Sequence, residues 1–253
     1  MTSQSPHGST FALSELSLRA RLTYAAHLFK AVAKQHHTAL IPLLRPFVPR
    51  DGVVFDIGSH AGQFTKLFAR LVPQGRVWSF EPSPYALSIL NRAVRLNRLS
   101  NVAIRACALG EREGELFLAT PLKDGGSYRF GLAHFGEERR NARRERVLVT
   151  TIDRVVEEER IERIDFLKAD IEGWELRMLE GGKAAIARFE PALLLEVNDK
   201  ALARAGDSVG ALWDFLTRRG YRPWRLGDPE PLPPDAPPVE GDILWLPRRY
   251  AAA

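Results

Sequence analysis

Asp56, Gly58 and Gly62 close the run Val53-Val54-Phe55-Asp56-Ile57-Gly58-Ser59-His60-Ala61-Gly62, where a short apolar segment gives way to a glycine-punctuated turn. Glu81 follows at the end of the next apolar run, Arg76–Phe80. Strand, glycine turn, helix, strand and acid form the layout of a nucleotide-type cofactor site. Glycine lets the backbone approach a ligand, and a carboxylate at the next strand end can accept both ribose hydroxyls. The turn reads Asp-x-Gly-x-x-x-Gly and departs from the dinucleotide pattern G-x-G-x-x-G. A carboxylate before the first glycine repels a pyrophosphate but suits a cationic amino-acid end such as that of S-adenosylmethionine. The bland alternative is a tight strand-to-helix turn without a ligand, which Glu81 disfavours.

Two further acidic pairs end apolar segments. Asp170-Ile171-Glu172-Gly173 follows Ile164–Ala169, and Glu196-Val197-Asn198-Asp199 closes Ala192–Val197. Acids at such ends are costly unless solvated or used. Histidine is sparse: His60 lies inside the first motif, His134 in a polar stretch, and His36-His37 ahead of the core.

These residues need a scaffold, and the pattern of the chain supplies one. Strands are expected at 53–57, 76–80, 102–106, 164–169 and 192–197, alternating with helices at 62–71, 84–97, 174–189 and 209–219. The helix over 174–189 has a potential break at Gly181-Gly182. Such alternation predicts a parallel sheet covered on both faces. Two last strands, 221–226 and 242–246, flank the Pro-rich connector 228–240 and read as a hairpin. Segments 115–119 and 147–151 look like strands around an irregular insertion at about 120–146, whose Lys123–Tyr128 portion is loop-like. Ahead of the core, residues 1–12 read as disordered. Between Leu13 and Leu44, apolar positions at helical intervals predict one or two amphipathic helices, a helical extension or cap over 13–50. Gln and Glu mix with the basic residues there, which favours capping the cleft or a homodimer over contact with a membrane surface.

The order of motifs resembles the class I S-adenosylmethionine-dependent methyltransferases, and specifically the FkbM-type methyltransferases. The resemblance is carried by Phe55–Gly62, Ser79-Phe80-Glu81-Pro82-Ser83-Pro84, Ala106-Cys107-Ala108-Leu109-Gly110 and Phe166–Gly173, and it covers roughly residues 50–200. It implies a Rossmann-like α/β domain over 51–253: a mostly parallel seven-stranded sheet with helices on both faces and an antiparallel C-terminal strand. It also implies S-adenosylmethionine as cofactor. Asp56, Gly58, Ser59, His60, Gly62, Phe64 and Thr65 would sit on the methionine side, with Asp56 shaping the turn or meeting the amino group. Glu81, Pro82 and Ser83 would serve the ribose, Cys107 and Ala108 the adenine wall, and Asp170 both donor and acceptor. Tyr85 fits the ribose pocket or the core equally.

Catalysis falls to Asp170 and Glu172. Methyl transfer is an in-line displacement, so positioning can supply much of it. A carboxylate of reference pKa about 4 is a weak base for an alcohol unless burial raises it. Glu172 could instead be a helix N-terminal acid. Asp170 with Glu196 or Asn198 could hold Mg²⁺ and lower the pKa of the alcohol. His134 is a candidate base from the insertion, or simply a loop histidine.

The implied function is O-methylation of a small-molecule or glycan hydroxyl. Arg129 and Arg139 hint at an anionic acceptor. An RNA ribose 2′-O-methyltransferase is the alternative, using Lys66, Lys168, Asp170 and Glu196, although Lys168 is expected beside the core. A non-catalytic scaffold and a dehydrogenase are further alternatives; intact cofactor motifs disfavour the first and the absence of G-x-G-x-x-G the second. The basic clusters Arg139–Arg146 and Arg218-Arg219 read as solvated faces, because no aromatic residue is interleaved for base stacking, and nucleic acid is not the expected partner. The net charge of +5 permits anionic partners without requiring them. No run approaches the roughly 18 apolar residues of a membrane span. With a single cysteine and no signal-peptide pattern, a reducing cytoplasm is the expected setting.

Overall fold

Strand β1 (Val53–Ile57) alternates across its sheet, sending Phe55 and Ile57 into one apolar core and Val54 into another. Cores on both faces need helices on both faces, and the computed structural model shows them. It describes residues 11, 13–121, 134–135, 142–228, 230–233 and 239–250.

Parallel to β1 run β2 (Arg76–Phe80) on one side and β8 (Phe166–Ala169) on the other. Beyond β2 lies β3 (Val102–Arg105), and beyond β8 lies β9 (Ala192–Val197), both parallel. The hairpin of β10 (Arg222–Arg225) and β11 (Gly241–Leu246) completes the sheet, with β11 antiparallel to β9. The order β10-β11-β9-β8-β1-β2-β3 reverses direction between β1 and β8. Such a switch point opens a crevice at the carboxyl ends of the strands.

Helices α3 (Gln63–Leu71) and α4 (Pro84–Leu96) connect the first strands. On the far side follow α5 (Ile152–Glu158), α6 (Glu175–Glu180), α7 (Lys183–Phe189), α8 (Asp199–Ala205) and α9 (Val209–Thr217). The expected helix at 174–189 does break at Gly181-Gly182. Neither α5 nor α8 was expected. Each has seven residues, too few for an apolar period to register, and each begins at a side-chain cap, Thr151 and Asn198.

A second sheet holds β4 (Ala108–Leu109), β5 (Gly114–Pro121), β6 (His134–Phe135) and β7 (Ala142–Thr150) in the order β4-β7-β5-β6. Strand β7 takes in 142–146, which the sequence reading assigned to the insertion. Residues 122–133 and 136–141 of that insertion, including Arg129 and Arg139, lie outside the described residues. So does the side chain of His134, whose backbone pairs with Ala119.

The leading segment forms one long helix, α1 (Leu18–Ala33), and one short one, α2 (Ile41–Leu44). Between them His37 takes a left-handed backbone, φ 62°. Helix α1 packs on α4 through Ala20, Tyr24, Tyr85, Ile89 and Ala93. Tyr85 is thus a core residue, its hydroxyl 3.0 Å from His27 Nδ1. The expectation of disorder over 1–12 lies outside the described residues except at Phe11, which stacks on Tyr24 at 5.5 Å.

Candidate active site

The loop after β1 passes so close to the loop after β8 that Gly58 has no room for a side chain. Its φ is 73°, and a Cβ there would stand 2.0 Å from the Asp170 carbonyl oxygen. His60, at φ 51°, turns its backbone N–H to Glu81 Oε2 at 2.7 Å. The other Glu81 oxygen accepts the Ser83 N–H at 2.8 Å. One carboxylate thus ties the glycine turn to the end of β2. Burial pushes the Glu81 carboxyl up to about 7 although both N–H groups favour its charge.

A cavity of about 430 Å³ opens where these loops meet the ends of β8 and β9. Gly58, Ser59, His60, Phe64, Glu81, Pro82, Asp170 and Glu172 line it, as expected of cofactor or catalytic residues, and the structure therefore brings these eight together. Burial lowers the His60 imidazole to about 4, so it is neutral at pH 7.

The other expected site residues stand behind the cavity. Asp56 is fully buried, and its Oδ2 accepts the Thr65 hydroxyl at 2.5 Å. Burial holds the Asp56 carboxyl above its usual range. Of the two roles foreseen for Asp56, the geometry matches the shaping of the turn. Thr65 also contacts the Ser79 hydroxyl at 3.0 Å, Gly62 begins α3, and the Ser83 hydroxyl caps α4. Cys107 and Ala108 are buried away from the cavity lining, and burial pushes the Cys107 thiol up to about 11.

Lys168 and Glu196, named beforehand only for the alternative ribose or Mg²⁺ readings, and Asp242, not named at all, complete its far wall. Strand alternation puts Lys168 and Asp170 on one face, and Leu194 and Glu196 on the same face of the next strand. Lys168 is buried in β8 as expected, yet its ammonium ends in the cavity, 3.3 Å from Asp170 Oδ2 and 4.9 Å above the Phe64 ring. Phe64 in turn stacks on His37 at 4.4 Å. Asp242 stands opposite Glu196 across the β9–β11 pair.

The two strand-end acids divide one proton between them. Burial opposes the Asp170 charge, but the Lys168 ammonium and a hydrogen bond from Glu196 outweigh it and hold Asp170 below the usual carboxylate range. Glu196 goes the other way, up to about 8, through burial and the neighbouring Asp170 charge. At neutral pH the pair is a carboxylate at Asp170 and an acid at Glu196.

Glu172 has a left-handed backbone, φ 56°, and lies 3.6 Å from Arg204. The role of helix N-terminal acid belongs to Glu175, whose Oε1 accepts the Ile171 and Gly173 N–H groups at 3.1 and 3.5 Å. Asn198 caps α8 by accepting the Ala201 N–H and is no partner for Asp170. Among the described residues no three His, Cys, Asp or Glu side chains are grouped to hold a metal. Lys66 is also elsewhere: its ammonium donates to the Ala31 and Lys34 carbonyls at 2.5 and 2.6 Å. That removes it from the set imagined for ribose methylation.

A mostly parallel seven-stranded sheet with a ligand-sized cavity at its switch point defines a Rossmann-like protein of the methyltransferase type. A sequence model of the methyltransferase FkbM domain matches residues 56–223, and the chain belongs to that family. Over 205 residues it is 29% identical to the AMB antimetabolite synthetase AmbE of Pseudomonas aeruginosa, covering 69% of this chain and 10% of that protein. Over 190 residues it is 24% identical to the 2-O-methyltransferase NoeI of Sinorhizobium fredii, covering 71% and 76%. The crystal structure of an FkbM methyltransferase from Methylobacillus flagellatus superposes with a TM-score of 0.52 at 21% identity, covering 78% of this chain and 44% of that one. The chain thus spans only a small part of AmbE and under half of the FkbM structure. Among the described residues no helix is long and apolar enough to cross a membrane.

Proposed function

We propose that the protein transfers a methyl group from S-adenosylmethionine to a hydroxyl of a small molecule or glycan. The observation that carries this reading is the cavity with two unlike walls. One wall is the glycine turn clasped by Glu81, and the other is the Lys168–Asp170–Glu196 group. The residues fit the cofactor: the glycine turn lines the cavity, and the buried Glu81 carboxylate suits a ribose diol. The single cysteine agrees with work in a reducing cytoplasm.

When bound, the cofactor supplies an electrophilic sulfonium methyl. The work of the chain is then alignment and proton removal. Lys168 fixes Asp170 beside the acceptor, and Glu196 keeps its own proton while hydrogen-bonded to the Asp170 carboxylate. The acceptor hydroxyl donates to Asp170, which orients it; so weak a base takes the proton only as the oxygen gains the methyl and itself becomes strongly acidic. Products are the methyl ether, the neutral thioether and one proton.

Among the described residues, Glu81, Asp170, Glu172, Glu196 and Asp242 face the cavity together with one ammonium, that of Lys168. This balance favours a neutral, hydroxyl-rich acceptor over the anionic one suggested by Arg129 and Arg139. The kinship with NoeI, named for 2-O-methylation, supports oxygen as the target.

The test is a methyl-transfer screen with labelled donor against fractionated cell extract and neutral glycosides. Asp170→Asn should lower kcat at least about 100-fold while cofactor affinity stays within a few fold. Unchanged turnover in that variant would remove Asp170 from the reaction centre.

A further inference from the structure

Helix α1 is apolar on two opposite sides, and α4 covers only one of them. Ala20, Tyr24 and Ala31 are buried against the body. On the opposite side Leu18, Leu22 and Phe29 are 76%, 66% and 68% exposed. At 100° per residue these three fall within one narrow stripe, with the exposed Ala25, Ala26 and Ala33 beside it. Of the seven large apolar side chains exposed among the described residues, Leu13, Leu18, Leu22 and Phe29 lie on or just before this helix.

The rims of the stripe carry one sign of charge. Arg19 and Lys30 border one edge and Arg21 the other, with Lys34 at the C-terminal cap. No acid occurs from Leu18 to Lys34; the Glu and Gln that weighed against a membrane role, Glu15 and Gln35, stand outside the helix. A second copy meeting this face about a twofold axis would set basic rims against basic rims. An anionic lipid surface meets both features, taking the apolar stripe among its acyl chains and the rims among its phosphates.

We propose that the outer face of α1 docks the protein on an anionic phospholipid surface. The docked helix leads directly to the cavity. Gln35 Nε2 donates to the Gln63 carbonyl at 3.1 Å, and His37, four residues beyond Ala33, is part of the cavity wall. Docking would therefore tie the lipid surface to the segment that supplies His37 to the cavity wall.

The experiment is co-sedimentation of the full chain with vesicles of equimolar phosphatidylcholine and phosphatidylglycerol, against vesicles of phosphatidylcholine alone. Partition to the anionic vesicles should be at least about tenfold the stronger and should weaken with added salt. Leu18→Gln with Phe29→Gln should lower it at least about tenfold, with an unchanged circular dichroism spectrum. Arg19→Gln with Lys30→Gln should abolish the preference for anionic lipid. These changes lie outside the cavity, so a loss of binding with methyl transfer intact is independent of the proposed reaction. Failure of the folded protein to bind anionic vesicles would overturn the inference, as would equal binding by the apolar double variant. A dimer in light scattering that the same variant dissolves, without vesicle binding, would reassign the face to a second copy.

Discussion

Glu81 carries a conflict that a ligand can resolve. Its two oxygens already accept the His60 and Ser83 N–H groups, yet burial leaves the carboxyl titrating at about 7. Ribose hydroxyls donate, and they favour the charged form. Cofactor affinity should therefore fall by up to about tenfold per pH unit below 7, as a proton must leave before the diol is held. Calorimetry with S-adenosylhomocysteine should show roughly tenfold weaker binding at pH 6 than at pH 8. In Glu81→Gln binding should be weak at both. Equal affinities in the native protein would exclude Glu81 from the ribose site. Residue patterns made part of this site legible. Gly58 and Glu81 could be found from spacing, because a turn that lets two loops touch admits only glycine. Asp56 was left with two roles, shaping the turn or meeting the amino group; its register in β1, beside Val54 and facing Thr65 of α3, matches the first.

Elements explain the residues that sequence reading undervalued. Lys168 reads as core because β8 is buried, but strand alternation aligns it with Asp170 at the edge of the cavity. Asp242 was invisible without knowing that β11 pairs antiparallel with β9 and sets it opposite Glu196. The five parallel strands and the hairpin were readable because β-strands between glycine and proline signals have sharp edges. The seven-residue α5 and α8 were not. Lys66 shows the same limit in another form, since no local pattern says that a lysine in α3 will end α1. Its ammonium satisfies the Ala31 and Lys34 carbonyls, which would otherwise lack helical partners. Hydrogen bonds to a charged group contribute roughly 1.5–3 kcal/mol each, so Lys66→Met should cost about 2 kcal/mol or more, and the loss should be local. Amide exchange in the last turn of α1 should accelerate well before that of β1. Uniform acceleration across the chain, or none, would count against this fastening.

At the scale of the whole molecule, a protein of net charge +5 concentrates buried acids at one edge of its sheet. Burial raises Glu81 and Glu175 to about 7 and Glu196 to about 8. Each acid binds a proton in the folded state that the unfolded chain has already lost above its ordinary pKa. Stability therefore falls as pH rises from the unfolded value toward the folded one. The lowered His60 has the opposite sign, adding stability between about 4 and 6.5, and so partly masks the acids in that window. Above 6.5 the His60 contribution is complete, and the ligand-free protein should lose thermal stability steadily to about pH 8. Glu175 isolates one term. It lies at the start of α6, outside the cavity lining, and an amide at that position can still accept the Ile171 and Gly173 N–H groups. Glu175→Gln should therefore keep the loop but lose one titration. Its stability relative to the native protein should grow by about 1.4 kcal/mol per pH unit between the ordinary 4.5 and about 7, then level off. Chemical denaturation at pH 5, 6, 7 and 8 measures that difference directly. A constant offset between the two proteins would mean that Glu175 is not held neutral by burial.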